Sequence, residues 1–145
     1  MPWLLDTNAV IAVMNDPRGV VASRVRRKAP DEVFISTIVM HELYYGAFKS
    51  TKQAANIAVV ESLAFTVLTL DSEDARAGGA VRAQLKMAGT PIGPYDVLIA
   101  GQALCRGLTL VTHNLSEFAR VPALAVEDWS VASVGATTRQ VRTRK

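Results

Sequence analysis

Short apolar runs alternate along the chain with longer segments in which apolar residues recur every three to four positions. The short runs have the length and composition of buried strands, and the longer segments have the period of amphipathic helices. The predicted strands are WLLD, EVFIS, FTVLTL, LTLVT and a final short one in ALAVEDW. Because parallel strands need helical crossovers, this alternation predicts an α/β fold, a three-layer α/β/α sandwich around a mostly parallel sheet.

The helical segments between these strands differ in length. The segment from 37 to about 63 predicts two helices or one bent helix. A later helix begins near Ser72, and the next one has Pro94 at its first position, which proline favours. Gly78 and Gly79 fall inside the Ser72 helix, at a cost of about 1 kcal/mol each relative to alanine. Close packing would account for such glycines.

Length and composition are those of one globular domain. The chain has 145 residues, of which 50% are hydrophobic and 20% charged, enough to bury a core. No apolar run has the length of a membrane helix, and the N-terminus lacks the basic region of a signal peptide. The single cysteine, Cys105, excludes an internal disulfide and fits a reducing compartment. We therefore expect a cytoplasmic protein with no membrane association.

The net charge of +3 is unevenly distributed. Residues 139–145, RQVRTRK, carry four basic residues and no acid, which leaves residues 1–138 at −1. We therefore divide the chain into a single domain, 1–138, and a basic C-terminal tail, 139–145. A second basic cluster, RVRRK, occupies residues 24–28. Each cluster is typical either of a solvated surface or of a polyanion-binding one.

Three acids interrupt the apolar pattern. Asp6 follows the first strand, Glu42 lies within an apolar helical stripe, and Asp96 is the third residue of its helix. Each has a simple structural explanation: an N-cap, the edge of the stripe, and the helix dipole, respectively. A parallel sheet would nevertheless gather all three at one edge, and no Lys or Arg lies beside them in sequence. Such a cluster favours Mg²⁺ or Mn²⁺, which supports phosphodiester hydrolysis.

Polar residues also follow the fourth strand. Thr112, His113 and Asn114 stand at its carboxyl end, and Glu117 lies one helical turn further on. Asn114 offers an uncharged oxygen, whereas His113 is either a general base or a surface or capping residue. The sequence alone leaves both roles of His113 open.

Four motifs occur in order along nearly the whole chain: LLDTN, HELYYGA, IGPYDVLIAGQAL and LTLVTHNLSEFARVPALAVEDW. With these motifs the chain resembles the PIN-domain ribonucleases, and within them the VapC toxins of toxin–antitoxin pairs. The resemblance implies a single PIN-like nuclease domain acting as a Mg²⁺-dependent RNA endonuclease toxin, with Mn²⁺ as the alternative metal. It also implies RNA as substrate, a homodimer, and a cognate VapB-type antitoxin whose C-terminal segment covers the active site.

The resemblance also implies roles for particular residues. The expected catalytic set is Asp6, Glu42, Asp96 and Asn114. The expected metal ligands are Asp6, Asp96 and Glu42. Asn114 occupies the region where many members have a fourth acid, so the amide leaves the number of metal ions open. Thr7 and Thr112 are expected as hydrogen-bond partners of the ligands.

Two other classes of function remain open at this point. A haloacid-dehalogenase-like phosphatase also uses an Asp after its first strand, but it needs a second Asp two positions on, where this chain has Asn8. A receiver domain would need an acidic pair in the opening strand and a late Lys, and neither is evident. A non-catalytic interaction module on the same fold is the other alternative.

Overall fold

Within residues 2–131 the chain forms a sheet of five strands, all parallel. The computed structural model describes residues 2–131. The strands are β1 (Trp3–Leu5), β2 (Val33–Ser36), β3 (Thr66–Leu68), β4 (Thr109–Val111) and β5 (Val126–Glu127), in the order β3-β2-β1-β4-β5. The predicted α/β fold is confirmed. The basic tail, 139–145, lies outside the described residues.

Helices connect these strands. They are α1 (Thr7–Asn15), α2 (Val20–Arg26), α3 (Thr37–Phe48), α4 (Gln53–Glu61), α5 (Ser72–Met87), α6 (Pro94–Arg106) and α7 (Leu115–Phe118). The segment 37–63 thus forms two helices, which is one of the two predicted outcomes. The sequence pattern did not predict α2, because three of its seven residues are valines, which favour strands. Between residues 2 and 131, none of the helices has the length and apolar character needed to cross a membrane.

The central strand β1 is the point where the strand order reverses. β2 lies on one side of it and β4 on the other, and Leu4 and Leu5 are fully buried between the layers. Because connections between parallel strands are right-handed, α1 to α4 cover one face of the sheet and α5 to α7 the other. In open sheets of this kind ligands bind at the carboxyl ends of the strands beside the reversal. Asp6 lies there, immediately after β1.

The glycines of α5 allow this helix to pack closely on α6. A Cβ atom on Gly101 of α6 would lie 2.3 Å from the backbone nitrogen of Gly78, a distance that no real side chain tolerates. A Cβ atom on the neighbouring Gly79 would meet nothing within 4 Å. Close packing therefore explains Gly78 but not Gly79.

A buried ion pair joins the start of α5 to the end of α6. Arg106 Nη2 lies 2.8 Å from Asp74 Oδ2, and the Gln102 side chain donates to the same carboxylate oxygen. The hydrogen bond from Arg106 lowers the pKa of Asp74 to about 2. This network holds α5 and α6 together on their face of the sheet.

Candidate active site

Asp6 is buried at the junction of β1, β4 and α1. Its backbone N–H donates to Val111 O at 3.0 Å, and its side chain caps α1 by accepting a hydrogen bond from Ala9 N at 2.9 Å. Burial raises the pKa of Asp6, against the opposing effect of hydrogen bonds from Thr112 and Ala9, and the charge of Glu42 adds to the rise. Asp6 is therefore both a helix cap and a member of an acidic cluster.

Glu42 reaches the same place from the second turn of α3. Ser36 caps this helix by accepting a hydrogen bond from Ile38 N at 3.1 Å. Thr7, in the first turn of α1, donates its hydroxyl to Glu42 Oε1 at 2.6 Å. Thr7 directly follows Asp6 in the sequence, so its hydroxyl holds the Glu42 carboxylate near Asp6.

Asp96 and Glu117 form a pair of carboxyl groups at the starts of α6 and α7. Burial raises the pKa of Asp96 to about 7, and the hydrogen bond and charge of Glu117 contribute next, followed by the charges of Glu42 and Asp6. The same contact with Asp96 lowers the pKa of Glu117. The two groups therefore hold one proton between them, with Asp96 as the protonated partner. Glu117 also accepts a hydrogen bond from Gly93 N, at 3.3 Å.

Helices α3 and α6 bring Glu42 and Asp96 to the same edge of the sheet. The residues that precede them in sequence, His41 and Tyr95, have ring centroids 5.3 Å apart. This contact packs the start of α6 against α3. The structure thus gathers Asp6, Glu42 and Asp96 into one electrostatically coupled group.

Asn114 contacts the cluster through Glu117. Its side-chain Nδ2 donates to Glu117 Oε2 at 3.1 Å, and its backbone N–H is held by the Thr112 hydroxyl at 2.9 Å. Sequence reasoning placed Asn114 in the catalytic set and left Glu117 out of it. The available signal was the spacing of three residues between them at the start of a helix, which brings their side chains to one face.

Lys and Arg compensate these acids weakly: the charge of Arg120 lowers the pKa of Glu117, but less than the hydrogen bonds with Asp96 and Asn114 do. Within residues 2–131, none of the four carboxylates forms an ion pair with Lys or Arg. Nor, in this part of the chain, is any group of three or more acidic, His or Cys side chains arranged as a cage that could hold a metal ion by itself. Mg²⁺ does not require such a cage, because it keeps several waters and takes one or two carboxylates together with substrate phosphate. An open, weakly compensated set of oxygen ligands fits that cation.

His113 belongs to a separate group of polar side chains. Its Nδ1 lies 2.9 Å from Ser130 Oγ and 3.2 Å from Asp128 Oδ2, and its side chain is 74% exposed. None of its described hydrogen bonds reaches the four acids. The contacts therefore favour the surface interpretation of His113 over the general-base one.

Comparison with known proteins agrees with the motifs. The model of the PIN domain family matches residues 3–124. The chain therefore belongs to the PIN-domain family and, within it, to the VapC proteins. The tRNA(fMet)-specific endonuclease VapC of Salmonella typhimurium is 41% identical to it over 131 residues, which cover 89% of this chain and 98% of that protein.

Further relatives support the same assignment. Ribonuclease VapC2 of Haemophilus influenzae is 40% identical over 131 residues, with 89% of this chain and 98% of that protein covered. The crystal structure of DNA-bound VapBC from Salmonella typhimurium superposes with a TM-score of 0.84, at 41% identity over 89% of this chain and 98% of that one. The predicted family is confirmed.

Proposed function

We propose that this protein is a Mg²⁺-dependent RNA endonuclease that acts as the toxin of a toxin–antitoxin pair. The observation that carries the proposal is the group of carboxylates, Asp6, Glu42 and Asp96, joined by Glu117, at the carboxyl edge of the sheet, where none of them forms an ion pair with a Lys or Arg of residues 2–131. The names of its VapC relatives, a ribonuclease and a tRNA(fMet)-specific endonuclease, support the same chemistry.

Carboxylates of the set Asp6, Glu42 and Asp96 would hold the metal together with water and substrate phosphate, with Mn²⁺ as the alternative to Mg²⁺. A bound cation of this kind lowers the pKa of the attacking water and stabilises the leaving oxygen. Thr7 orients the Glu42 carboxylate. The Ala9 N–H orients the Asp6 carboxylate, and the side chain of Thr112, the residue after β4, does the same.

Glu117 and Asn114 have different roles in this proposal. Glu117 supplies a fourth carboxylate and takes part in holding the proton of Asp96 while the site is free of metal. Asn114 acts as a positioning residue, since its amide holds Glu117. We retain Asn114 in the functional set on that basis and not as a metal ligand.

Family membership also supports proposals for the binding partners and the substrate of this protein. The VapBC structures of relatives contain a VapB antitoxin, and we propose a VapB-type antitoxin, a homodimer and a cytoplasmic location for this protein as well. The relatives' names make initiator tRNA the first substrate to test. The phosphatase alternative is disfavoured because Asn8, where that class needs its second acid, is an exposed amide.

A cleavage assay tests the proposal. Purified wild type, Asp6→Asn and Glu61→Gln, the last a control acid on α4, would be incubated with initiator tRNA and with total RNA, and the new 5′ ends would be sequenced. We expect cleavage at discrete sites by wild type and Glu61→Gln, and none by Asp6→Asn or in excess EDTA. Full activity in EDTA would exclude the metal site, and hydrolysis of p-nitrophenyl phosphate without RNA cleavage would indicate a phosphatase.

A further inference from the structure

A cleft on the surface of α2 is lined mainly by arginines. It has a volume of about 330 Å³, and its lining residues are Arg18, Gly19, Val20, Ser23, Arg24 and Arg27. Arg26 and Lys28 extend the positive charge along the same segment, which includes the RVRRK cluster of the sequence. The charge and the concave shape therefore coincide at one surface.

The arginines of this cleft are not ion-paired within the described part of the chain. Among residues 2–131, no carboxylate forms an ion pair with Arg18, Arg24 or Arg27. Asp16 lies close by against Gly19, but it forms no ion pair with these guanidinium groups in the described part of the chain. Arginines that form no ion pair within the described residues are available to bind an external anion.

Aromatic packing holds one side of the cleft in place. The Arg24 guanidinium lies 5.7 Å from the centre of the Trp129 ring, and Lys28 Nζ lies 4.4 Å from the centre of Trp3. Cation–π contacts of this kind order the side chains without removing their charge. Val20, 47% exposed, adds an apolar contact surface inside the cleft. The ordered Arg24 guanidinium beside an apolar residue is suited to contact a phosphate group and the neighbouring sugar of a nucleic-acid backbone.

We infer that the arginine cleft of α2 binds the phosphate backbone of the RNA substrate at a distance from the scissile bond. This inference rests on the proposed RNA substrate. No described hydrogen bond or ion pair joins the cleft residues to Asp6, Glu42, Asp96 or Glu117. The cleft therefore supplies affinity and orientation, as phosphate contacts do, whereas the carboxylates supply the chemistry.

The test measures how RNA affinity depends on salt. Each phosphate contact on single-stranded RNA contributes a slope of about 0.7 to the logarithmic salt dependence of affinity. In a full-length Asp6→Asn background, which prevents cleavage, Arg18→Gln with Arg27→Gln should reduce that slope by about 1.4 and weaken binding roughly 20-fold at about 0.1 M salt. The matched control, Arg76→Gln with Arg82→Gln, removes the same charge from exposed positions on α5 and should leave the slope unchanged.

The readout is the fluorescence anisotropy of a labelled single-stranded RNA, with thermal melts to verify that each variant is folded. In the otherwise wild-type protein, the cleft variant should raise KM for RNA cleavage and leave kcat unchanged. Equal slopes for the cleft variant and the α5 control would overturn the inference.

Two competing probes distinguish other anions. Inorganic phosphate that displaces RNA more strongly than chloride of the same ionic strength would assign the cleft to free phosphate. Loss of affinity for poly-glutamate with RNA affinity unchanged would assign it to an acidic protein segment. Either outcome overturns the inference.

The cleft and the proposed function can fail separately. RNA cleavage with an unchanged salt slope rejects the cleft alone. A reduced slope in a protein that cleaves no RNA rejects the nuclease and retains the cleft. Absence of any RNA binding rejects both.

Discussion

Replacing Asp96 by asparagine tests whether this acid belongs to the metal site or only to the helix dipole. In the metal-free protein, the pKa of Asp96 is raised from 3.8 to about 7 by burial and by the neighbouring acids, Glu117 first. Asparagine has nearly the same volume, and its amide can donate to Glu117 in place of the shared proton. The substitution therefore removes one repulsive charge and keeps one hydrogen bond.

Proton linkage determines how the stability of wild type changes with pH. Between about pH 4 and pH 7 the folded wild type binds more protons than the unfolded chain, so its free energy of unfolding falls as the pH rises through this window. A shift of about three units corresponds to about 4 kcal/mol at most. Asp96 is only half-buried, and the lowered pKa of Glu117 offsets part of this value. Because solvent screening reduces this value further, we expect the free energy of unfolding of Asp96→Asn to be about 1–2 kcal/mol higher than that of wild type above pH 7. Near pH 4 the two values should be equal.

Urea unfolding in EDTA at the two ends of that pH range measures this difference. Glu73→Gln is the matched control, since Glu73 is an exposed acid in the first turn of α5. The free energy of unfolding of Glu73→Gln should fall by about 0.3–1 kcal/mol because the variant loses a favourable interaction with the helix dipole. Mg²⁺ at a hundredfold excess over its Kd should stabilise wild type and the control by about 2.7 kcal/mol, and Asp96→Asn much less. An Asp96→Asn protein that is less stable than wild type above pH 7 and keeps the full Mg²⁺ response would place Asp96 outside the metal site.

Three further predictions concern packing, the buried ion pair and the amide of the site. Gly101→Ala should lower the free energy of unfolding by about 2–4 kcal/mol because its Cβ would overlap backbone, whereas Gly79→Ala should raise it by about 0.5–1 kcal/mol; equal urea midpoints for the two variants would contradict the helix packing. Asp74→Asn should lower the free energy of unfolding by about 2 kcal/mol. This loss is smaller than that for a fully buried ion pair because the Arg106 side chain is 30% exposed. The ion pair's contribution should be present above about pH 4 and lost as the pH falls to about 2, so a variant that unfolds in acid in parallel with wild type would contradict it. Asn114→Asp replaces a hydrogen-bond donor by a charge and should increase Mg²⁺ affinity in titration calorimetry; equal or weaker binding would place this residue outside the site.

Much of the fold follows from patterns that local sequence determines. A parallel sheet buried on both faces needs apolar strands and helical crossovers, and both are visible as periodicities. Helix α2 escaped prediction because valines that favour strands are helical here, where tertiary contacts decide. The different roles of Gly78 and Gly79 also depend on tertiary structure, because only the position of Gly101 shows which of them meets another helix.

Some residues of the candidate site could be predicted from the sequence, whereas others become apparent only in the structure. Asp6, Glu42 and Asp96 interrupt apolar patterns, and this conflict marks them in the sequence. Glu117 lies in the four-residue helix α7, which is too short to have an apolar stripe that an acid could interrupt. Its contact with Asp96 becomes visible only when α6 and α7 are placed side by side. Asn114 was expected in the site because it occupies the region where many family members have a fourth acid, whereas in the structure its amide donates a hydrogen bond to Glu117.

The capping and catalytic interpretations of these acids are compatible for a physical reason. The helices that follow β1 and precede β4 begin at the carboxyl edge of the sheet, where their free backbone N–H groups carry a partial positive charge. Ala9 N, in the first turn of α1, donates to Asp6, and Gly93 N, at the start of α6, donates to Glu117. These donors stabilise the carboxylates without an ion pair to Lys or Arg within residues 2–131, so the cluster can fold before any metal binds. Partial charges do not cancel the net charge of several carboxylates, however, and the remaining negative charge is what a divalent cation would neutralise.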